Sequence, residues 1–246
     1  MIKIITLITK FIIVTLIALL FGSCNHSVNL KSLTGSGHVT SEKRMVQGDF
    51  KSVKVSNAID LVIEQSDKTE IIVEADDNLQ KEITTKVENG VLIVSCKYNS
   101  FINVKSRKVS VKMPIIEGLQ ASSASKITSA NILKGENIYL KASSAATMNL
   151  DIEFETISCK TSSGSSVNIN GKALKLETVS SSGSSINAKD LLANEVMADV
   201  SSGGSIRVHP LVSLDAEASS GGTINYNTQP KSIRKKSSSG GNINKE

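Results

Sequence analysis

The chain has 246 residues, of which 39% are hydrophobic and 3% aromatic, with no tryptophan and a formal net charge of +5. Nucleic-acid recognition needs a clustered basic face interleaved with stacking aromatics. Here the one dense cationic cluster is Arg234-Lys235-Lys236 and the charge is mild, so nucleic acid is excluded as an expected partner.

The first predicted element is a leader. Lys3 and Lys10 precede an apolar run from Phe11 to Phe21, followed by Gly22-Ser23-Cys24. A basic start, an apolar centre and small residues before a cleavage point describe a secretory signal over residues 1–23. A permanent membrane helix is the alternative, but the stretch from Ile4 to Phe21 is short and broken by Lys10. The placement of Cys24 resembles the bacterial lipoprotein signal, with Phe21 where that signal usually has Leu. The resemblance implies a lipidated Cys24, and several acyl chains would hold the protein stably at a membrane, in this case the outer membrane. The alternative is an ordinary secreted protein in which Cys24 is incidental. Residues 24–45 are polar, with Gly35, Gly37 and many Ser and Thr, and are expected to form a tether. No acidic run succeeds Cys24 (Asn25-His26-Ser27-Val28-Asn29), unlike the surface-export tag of some Bacteroidetes lipoproteins. A periplasmic face is therefore favoured over the cell surface.

Residues 46–115 form a separate β region. Short Val- and Ile-rich strands are expected at 50–55, 58–64, 70–74, 83–88, 91–96 and 108–113. Asn89-Gly90 between two of them is a strong two-residue hairpin signal, and Pro114 closes the stretch. These strands are expected to pack on or cap the first coil of the repeat region that begins near residue 116, since an uncovered sheet edge invites pairing.

From Ser122 to Ile243 one phrase recurs seven times: two serines, two small residues and an aliphatic residue five positions after the first serine. Its first serines are Ser122, Ser143, Ser162, Ser181, Ser201, Ser219 and Ser238, 18 to 21 residues apart. Such a period belongs to a solenoid, one coil per repeat. With the first serine as position zero, apolar residues fall at −5, −3, −1 and +5, the alternation of strands. Position +5 reads Ile127, Met148, Val167, Ile186, Ile206, Ile224 and Ile243 without exception. The Ser/Gly tetrad between them is a corner. The expected fold is all-β, a single-stranded parallel β-helix of about seven coils over residues 116–246. The general preference of parallel crossovers makes it right-handed. The invariant serines are expected on a cramped inside corner. Lys235 replaces the apolar residue at −3 in the last coil, which makes that end either a frayed polar cap or a surface for a partner, including end-on self-association. Cys159 is expected to point inward, and a Cys96–Cys159 disulfide would need an improbable meeting of the β region and the third coil.

Catalysis on such a scaffold needs acids and bases converging from adjacent coils. Asp199 and Glu217 are one coil apart at position −2, the one arrangement compatible with a carbohydrate-active enzyme. Lys141, Lys160 and Lys236 share that column, so a solvated charge ladder is the simpler reading and no catalytic residue is assigned. His26, His38 and His209 are scattered and no carboxylate occupies the corners, so neither metal nor cofactor is indicated. The repeated outward feature is position +6, with Asn149, Asn168, Asn187, Arg207, Asn225 and Asn244. As an amide ladder it reinforces stacking; as a polar strip it would meet a glycan or peptide.

The serine-serine-glycine corners followed by Gly222-Thr223-Ile224-Asn225 and Gly241-Asn242-Ile243-Asn244, with Met113-Pro114 before the first coil, resemble the head GIN domain, an adhesin-type domain of Bacteroidetes lipoproteins. The resemblance covers about residues 46–244. It implies an envelope-associated β-helix with no catalytic residues to carry over. The expected function is a lipid-anchored, non-enzymatic binding or adhesion module with a glycan or protein partner. The alternatives are the enzyme using Asp199 and Glu217, and a structural envelope protein assembling end to end.

Overall fold

The computed structural model describes residue 6 and residues 8–15 and 31–246, which belong to two compact units, Met1–Lys31 and Ser32–Glu246. In the first, residues 8–15 are helical with Ile8, Phe11, Ile12, Ile13 and Val14 exposed. No described helix is long and apolar enough to cross a membrane. Cys24, the expected cleavage point and residues 25–30 lie outside the described residues.

The second unit is a β-solenoid. Its first nine strands are β1 (Ser32–Thr34), β2 (Val39–Arg44), β3 (Ser52–Val55), β4 (Asp60–Gln65), β5 (Glu70–Asp76), β6 (Ile83–Glu88), β7 (Val91–Cys96), β8 (Ser100–Ile102) and β9 (Arg107–Met113). One short helix, Asp77–Gln80, separates β5 from β6. The repeats supply β10 (Gly118–Ala121), β11 (Lys126–Ser129), β12 (Leu133–Ala142), β13 (Thr147–Thr161), β14 (Ser166–Ser180) and β15 (Ser185–Val200). β16 (Ser205–Ala218), β17 (Thr223–Tyr226), β18 (Ser232–Ser237) and β19 (Asn242–Lys245) complete them. Every pairing among β10–β19 is parallel, and the coils stack in register apart from shifts between Asn168 and Asn170 in β14 and between Ala188 and Leu192 and between Ala193 and Glu195 in β15.

The corners repeat in geometry as they do in sequence. In all seven, the N–H of the fourth residue donates to the carbonyl of the first serine at 2.8–3.3 Å. The two residues between have positive φ: 54° and 59° at Ser123-Ala124, 54° and 68° at Ser163-Gly164. Two consecutive left-handed residues are the hallmark of type I′ turns. This conformation also aims the N–H of the third residue along the stack. Ala124 donates to the carbonyl of Ser144 at 2.9 Å, Ala145 to Ser163 at 3.0 Å and Gly164 to Ser182 at 3.1 Å, and the series runs on to Gly221 and Ser239 at 3.2 Å.

The serines are therefore not packed inside the corner as the pattern predicts. The left-handed turn swings the second serine outward, so Ser123, Ser144, Ser163, Ser182, Ser202, Ser220 and Ser239 are all exposed. The inward position is the fourth, where Ser125, Ser165 and Ser184 are buried. The Ser165 hydroxyl donates to the carbonyl of Ala142 at 2.9 Å and the Ser184 hydroxyl to that of Ser181 at 2.7 Å, which satisfies both groups.

Inside, like stacks on like. Ile127, Met148, Val167, Ile186, Ile206 and Ile224 form one ladder, each solvent-inaccessible or nearly so, while Ile243 at the open end is half-buried. Leu119, Leu140, Cys159, Thr178, Ala198 and Ala216 form another. Burying such side chains contributes roughly 1.5–3 kcal/mol each, and loss of a large one costs about 2–5 kcal/mol. Cys96 and Cys159 are both free and buried, and burial pushes both thiols above their ordinary range.

The N-terminal β region does more than cover the first coil, because it extends the stack by two layers. β3 pairs in parallel with both β10 and β7, and β4 with both β11 and β9. The chain lays down the 52–65 layer first, then the outer 91–113 layer, and returns past both to β10. Asn57 and Ala58, at φ 63° and 55°, form a serine-poor version of the same corner, and Ala58 N–H reaches the carbonyl of Ser123 at 2.9 Å. The antiparallel strands β5 on β9, β2 on β5 and β6 on β7 then end the parallel ladders. Asn89 and Gly90 make the expected hairpin, with φ 50° and 75°.

The expected tether over residues 24–45 is corrected by β1 and β2, which place residues 32–34 and 39–44 in sheets. β2 is a polar edge strand whose cohesion comes from main-chain bonds and from side chains around the short helix. The buried Asp76 carboxylate accepts N–H groups from Gly37 (2.9 Å), Lys105 (2.9 Å) and Ser106 (3.0 Å). Burial alone would push this carboxyl up, but the three donors outweigh it and hold it below the usual range. Asn78 donates to the carbonyl of Thr34 at 2.8 Å and Gln80 to that of Thr40 at 2.7 Å.

At the other end, Lys235 enters the column headed by Leu119 and its ammonium lies 4.6 Å from the centroid of the Tyr226 ring. A charge aimed inward on a terminal strand opposes pairing with further chains.

The corner geometry carries a stability prediction. No atom lies within 4 Å of where a Cβ on Gly164 would stand, so its glycine is favoured by φ and not by space. Ala145 holds the same turn position at φ 61°. Gly164→Ala should destabilise by about 1 kcal/mol and Ala145→Gly should stabilise by up to about 1 kcal/mol. Urea unfolding of the two variants tests this; shifts of equal sign would contradict the corner as described.

Candidate functional site

The residues read from sequence as an outward strip are brought together. Strand register stacks Asn149 on Asn168, Asn168 on Asn187, Asn187 on Arg207, Arg207 on Asn225 and Asn225 on Asn244. The alternation of each strand after its corner turns position +5 inward and position +6 outward. The amides bond along the stack: Asn168 Nδ2 to Asn149 Oδ1 at 2.8 Å, Asn187 to Asn168 at 3.4 Å and Asn244 to Asn225 at 3.4 Å. Arg207 interrupts the series. It is exposed and turns to Glu246, with Nε 3.5 Å from the carboxylate, which also accepts Asn225 Nδ2 at 2.8 Å. Asn187 Oδ1, which an amide at that position would reach, is buried without a hydrogen bond. The strip is thus two amide ladders separated by one cation, and part of each amide's bonding capacity is already used within the stack.

Asp199 and Glu217 are also register neighbours, on the sheet that precedes the corners. Glu217 is tied to Lys236 at 3.5 Å, and beside it Arg234 holds Asp215 through two nitrogens. Asp199, Asp215, Glu217 and Arg234 line an open depression of about 300 Å3 with Val179 and Met197. Among the described residues each carboxylate there but Asp199 has a cationic partner, from a neighbouring strand for Asp215 and Glu217 and from its own strand, Lys175 at 2.6 Å, for Glu177. Among the described residues no three His, Cys, Asp or Glu side chains come together as a metal site would need; His209 Nδ1 lies 3.2 Å from the carbonyl of Lys189. Cys24, the expected lipidation site, lies outside the described residues.

The architecture has parallels among solved structures, and the sequence matches a family. The sequence profile of a family described as "Putative auto-transporter adhesin, head GIN domain" matches residues 49–230. The chain belongs to the head GIN domain family. No curated protein matches it. Among solved structures, a crystal structure described as a "putative adhesin" from Bacteroides fragilis aligns with a TM-score of 0.78 at 20% identity, over 87% of this chain and 100% of that one. A "putative lipid binding protein" from Parabacteroides distasonis gives 0.72 at 21% identity, over 88% and 100%. A "putative adhesin" from Parabacteroides merdae gives 0.69 at 20% identity, over 87% and 99%. At these identities the structures share the fold of this head GIN domain. The family's adhesin description points to a binding or adhesion role and to association with the cell envelope or surface.

The broken ladder yields a direct test. Arg207→Asn gives Asn187 Oδ1 a donor and joins the two ladders, while the exposed contact with Glu246 that it removes is worth little. The variant should be more stable by about 1 kcal/mol, read from its urea midpoint. A loss of stability would mean that Arg207 does more than interrupt the amides.

Proposed function

We propose that this chain is a lipid-anchored, non-enzymatic binding module of the bacterial cell envelope. It would be held through Cys24 at the outer membrane, on the periplasmic face, and would present the strip from Asn149 to Asn244 to a glycan or protein partner. The observation that carries the reading is the character of the outward columns. They repeat polar side chains at fixed positions on a stacked scaffold and do not converge on a recess with paired acid and base. The adhesin description of the family supports recognition over chemistry, and the basic, apolar, small-residue leader ending at Cys24 supports the anchor. Lys235 at the terminal strand weighs against end-to-end assembly, and the ion pairs around Glu217 weigh against a carbohydrate-active enzyme.

The test is array binding by the full chain in detergent micelles, on glycans and peptides, beside a variant with Asn149, Asn168 and Asn187 all changed to Ser. The reading predicts a glycan or peptide retained by the parent and lost by the folded variant. Turnover of a polysaccharide abolished by Asp199→Asn would overturn it.

A further inference from the structure

The sheet that precedes the corners carries a second outward column, at position −2, and its charge is unevenly distributed. In register order the first four members in the repeats and the layer before them are Lys54, Gln120, Lys141 and Lys160. Segments 52–58, 118–124, 139–145 and 158–164, which build this part of the face, contain no Asp or Glu. Lys54, Lys141 and Lys160 are exposed, and none makes a salt bridge among the described residues. Further along the same column the pattern changes, for Glu217 takes Lys236 at 3.5 Å. Opposite charges meet there, whereas the first four members of the column carry only unpaired cations and one amide.

That arrangement has a cost. Lys141 and Lys160 are directly paired across adjacent strands, and like charges so placed destabilise a sheet. A row of unpaired cations on a low-dielectric wall also creates a field that attracts anions. Beside the row runs a groove of about 680 Å3, whose lining includes Tyr139, Asn137, Thr156 and Ser158. Tyr139 and Ser158 stand two residues before Lys141 and Lys160, and so on the same face of the sheet. Of the carboxylates lining the groove, Glu117 is tied to Lys51 at 2.8 Å. Glu136 lies five residues from Lys141 along the strand, roughly 16 Å away.

We propose that this face binds an acidic polysaccharide, with its anionic groups on Lys54, Lys141 and Lys160 and a sugar ring against Tyr139. The proposal rests on the reading of the chain as a binding module and assigns it a second face and a ligand class. A linear polymer suits a row of charges that crosses successive coils, and the hydroxyl and amide groups of the groove suit sugar hydroxyls. Val179, in register beside Lys160, and Met197 are exposed apolar side chains of this face, but they stand at one end of the lysine row and do not run along it, so a bilayer suits the row less than a linear polymer does.

The test uses the full chain in neutral detergent with five probes: polygalacturonate, dextran sulfate, uncharged dextran, poly-glutamate and mixed micelles containing anionic lipid. The expected result is binding of an acidic polymer that weakens as salt is raised, with none to dextran. Changing Lys54, Lys141 and Lys160 together to Gln should weaken it about tenfold or more, while the Asn149, Asn168 and Asn187 to Ser variant should bind as the parent does. The lysine variant should keep or raise the thermal midpoint, since it removes a like-charge pair, so lost binding is not lost folding. Failure of both acidic polymers to bind would overturn the inference, as would equal binding by the lysine variant. Stronger binding to the anionic-lipid micelles or to poly-glutamate would also overturn it, and would name a membrane or an acidic protein as the partner. If the acidic polymers fail while the Asn strip still captures a ligand on the arrays, this inference falls alone; if both fail, the binding-module reading falls with it.

Discussion

Each coil of this protein turns on two consecutive residues with positive φ, and the other regularities depend on that turn. The left-handed pair closes the turn through the carbonyl of the first serine and directs the next N–H to the carbonyl of the neighbouring coil. A corner that was merely tight would leave that N–H to water. Here it joins the same parallel ladder as the strands, so the stack is hydrogen-bonded around the bend as well as along the sheets. Glycine is the least costly residue for the second position of the pair, and it appears there in the last five corners, whereas the first two use Ala124 and Ala145.

Fixed corners fix columns. Because each coil turns at the same point, every position recurs one coil spacing further on, and a substitution changes one rung of a ladder and not an isolated site. The inward columns become aliphatic stacks with little need of aromatic bulk, which accounts for a core built with 3% aromatic residues. The outward columns become rows of related chemistry: amides at position +6, and at position −2 cations followed, after Val179, by the carboxylates of Asp199 and Glu217. Stacked repeats present extended surfaces and not a single cleft, so recognition of an extended partner is the natural use of such rows. The two ends are treated differently. Antiparallel strands β2, β5 and β6 end the ladders on one side, and Lys235 over Tyr226 guards the other.

The solenoid is legible in the sequence because its corner phrase recurs at a nearly constant interval, and the strands of the N-terminal region because their apolar residues alternate. Three features are not. The two additional layers stack out of chain order, and their clearest corner, Ser56-Asn57-Ala58, shares only the backbone conformation with the serine phrase. β2 is hidden because Val-Thr-Ser-Glu-Lys-Arg has no apolar alternation: an edge strand held by main-chain bonds and by Asp76, Asn78 and Gln80 leaves almost no hydrophobic signature. The serines lie on the opposite side of the corner from the one their invariance suggests, because the left-handed turn exposes the second serine where a confined inside corner would bury it. At the candidate strip, spacing alone aligns the six side chains. It does not show that Arg207 leaves Asn187 Oδ1 without a donor, since that depends on where the arginine turns.

The claim that the corners are an integral part of the hydrogen-bonded stack is tested most directly by amide hydrogen exchange resolved by NMR. The N–H groups of Ala145, Gly164, Gly183 and Gly203 should exchange as slowly as those of the adjoining strands, whereas that of Ser163, which has no acceptor among the described residues, should exchange rapidly. Uniformly fast exchange across all corner amides would contradict the account and reduce the corners to solvated loops between independently held sheets.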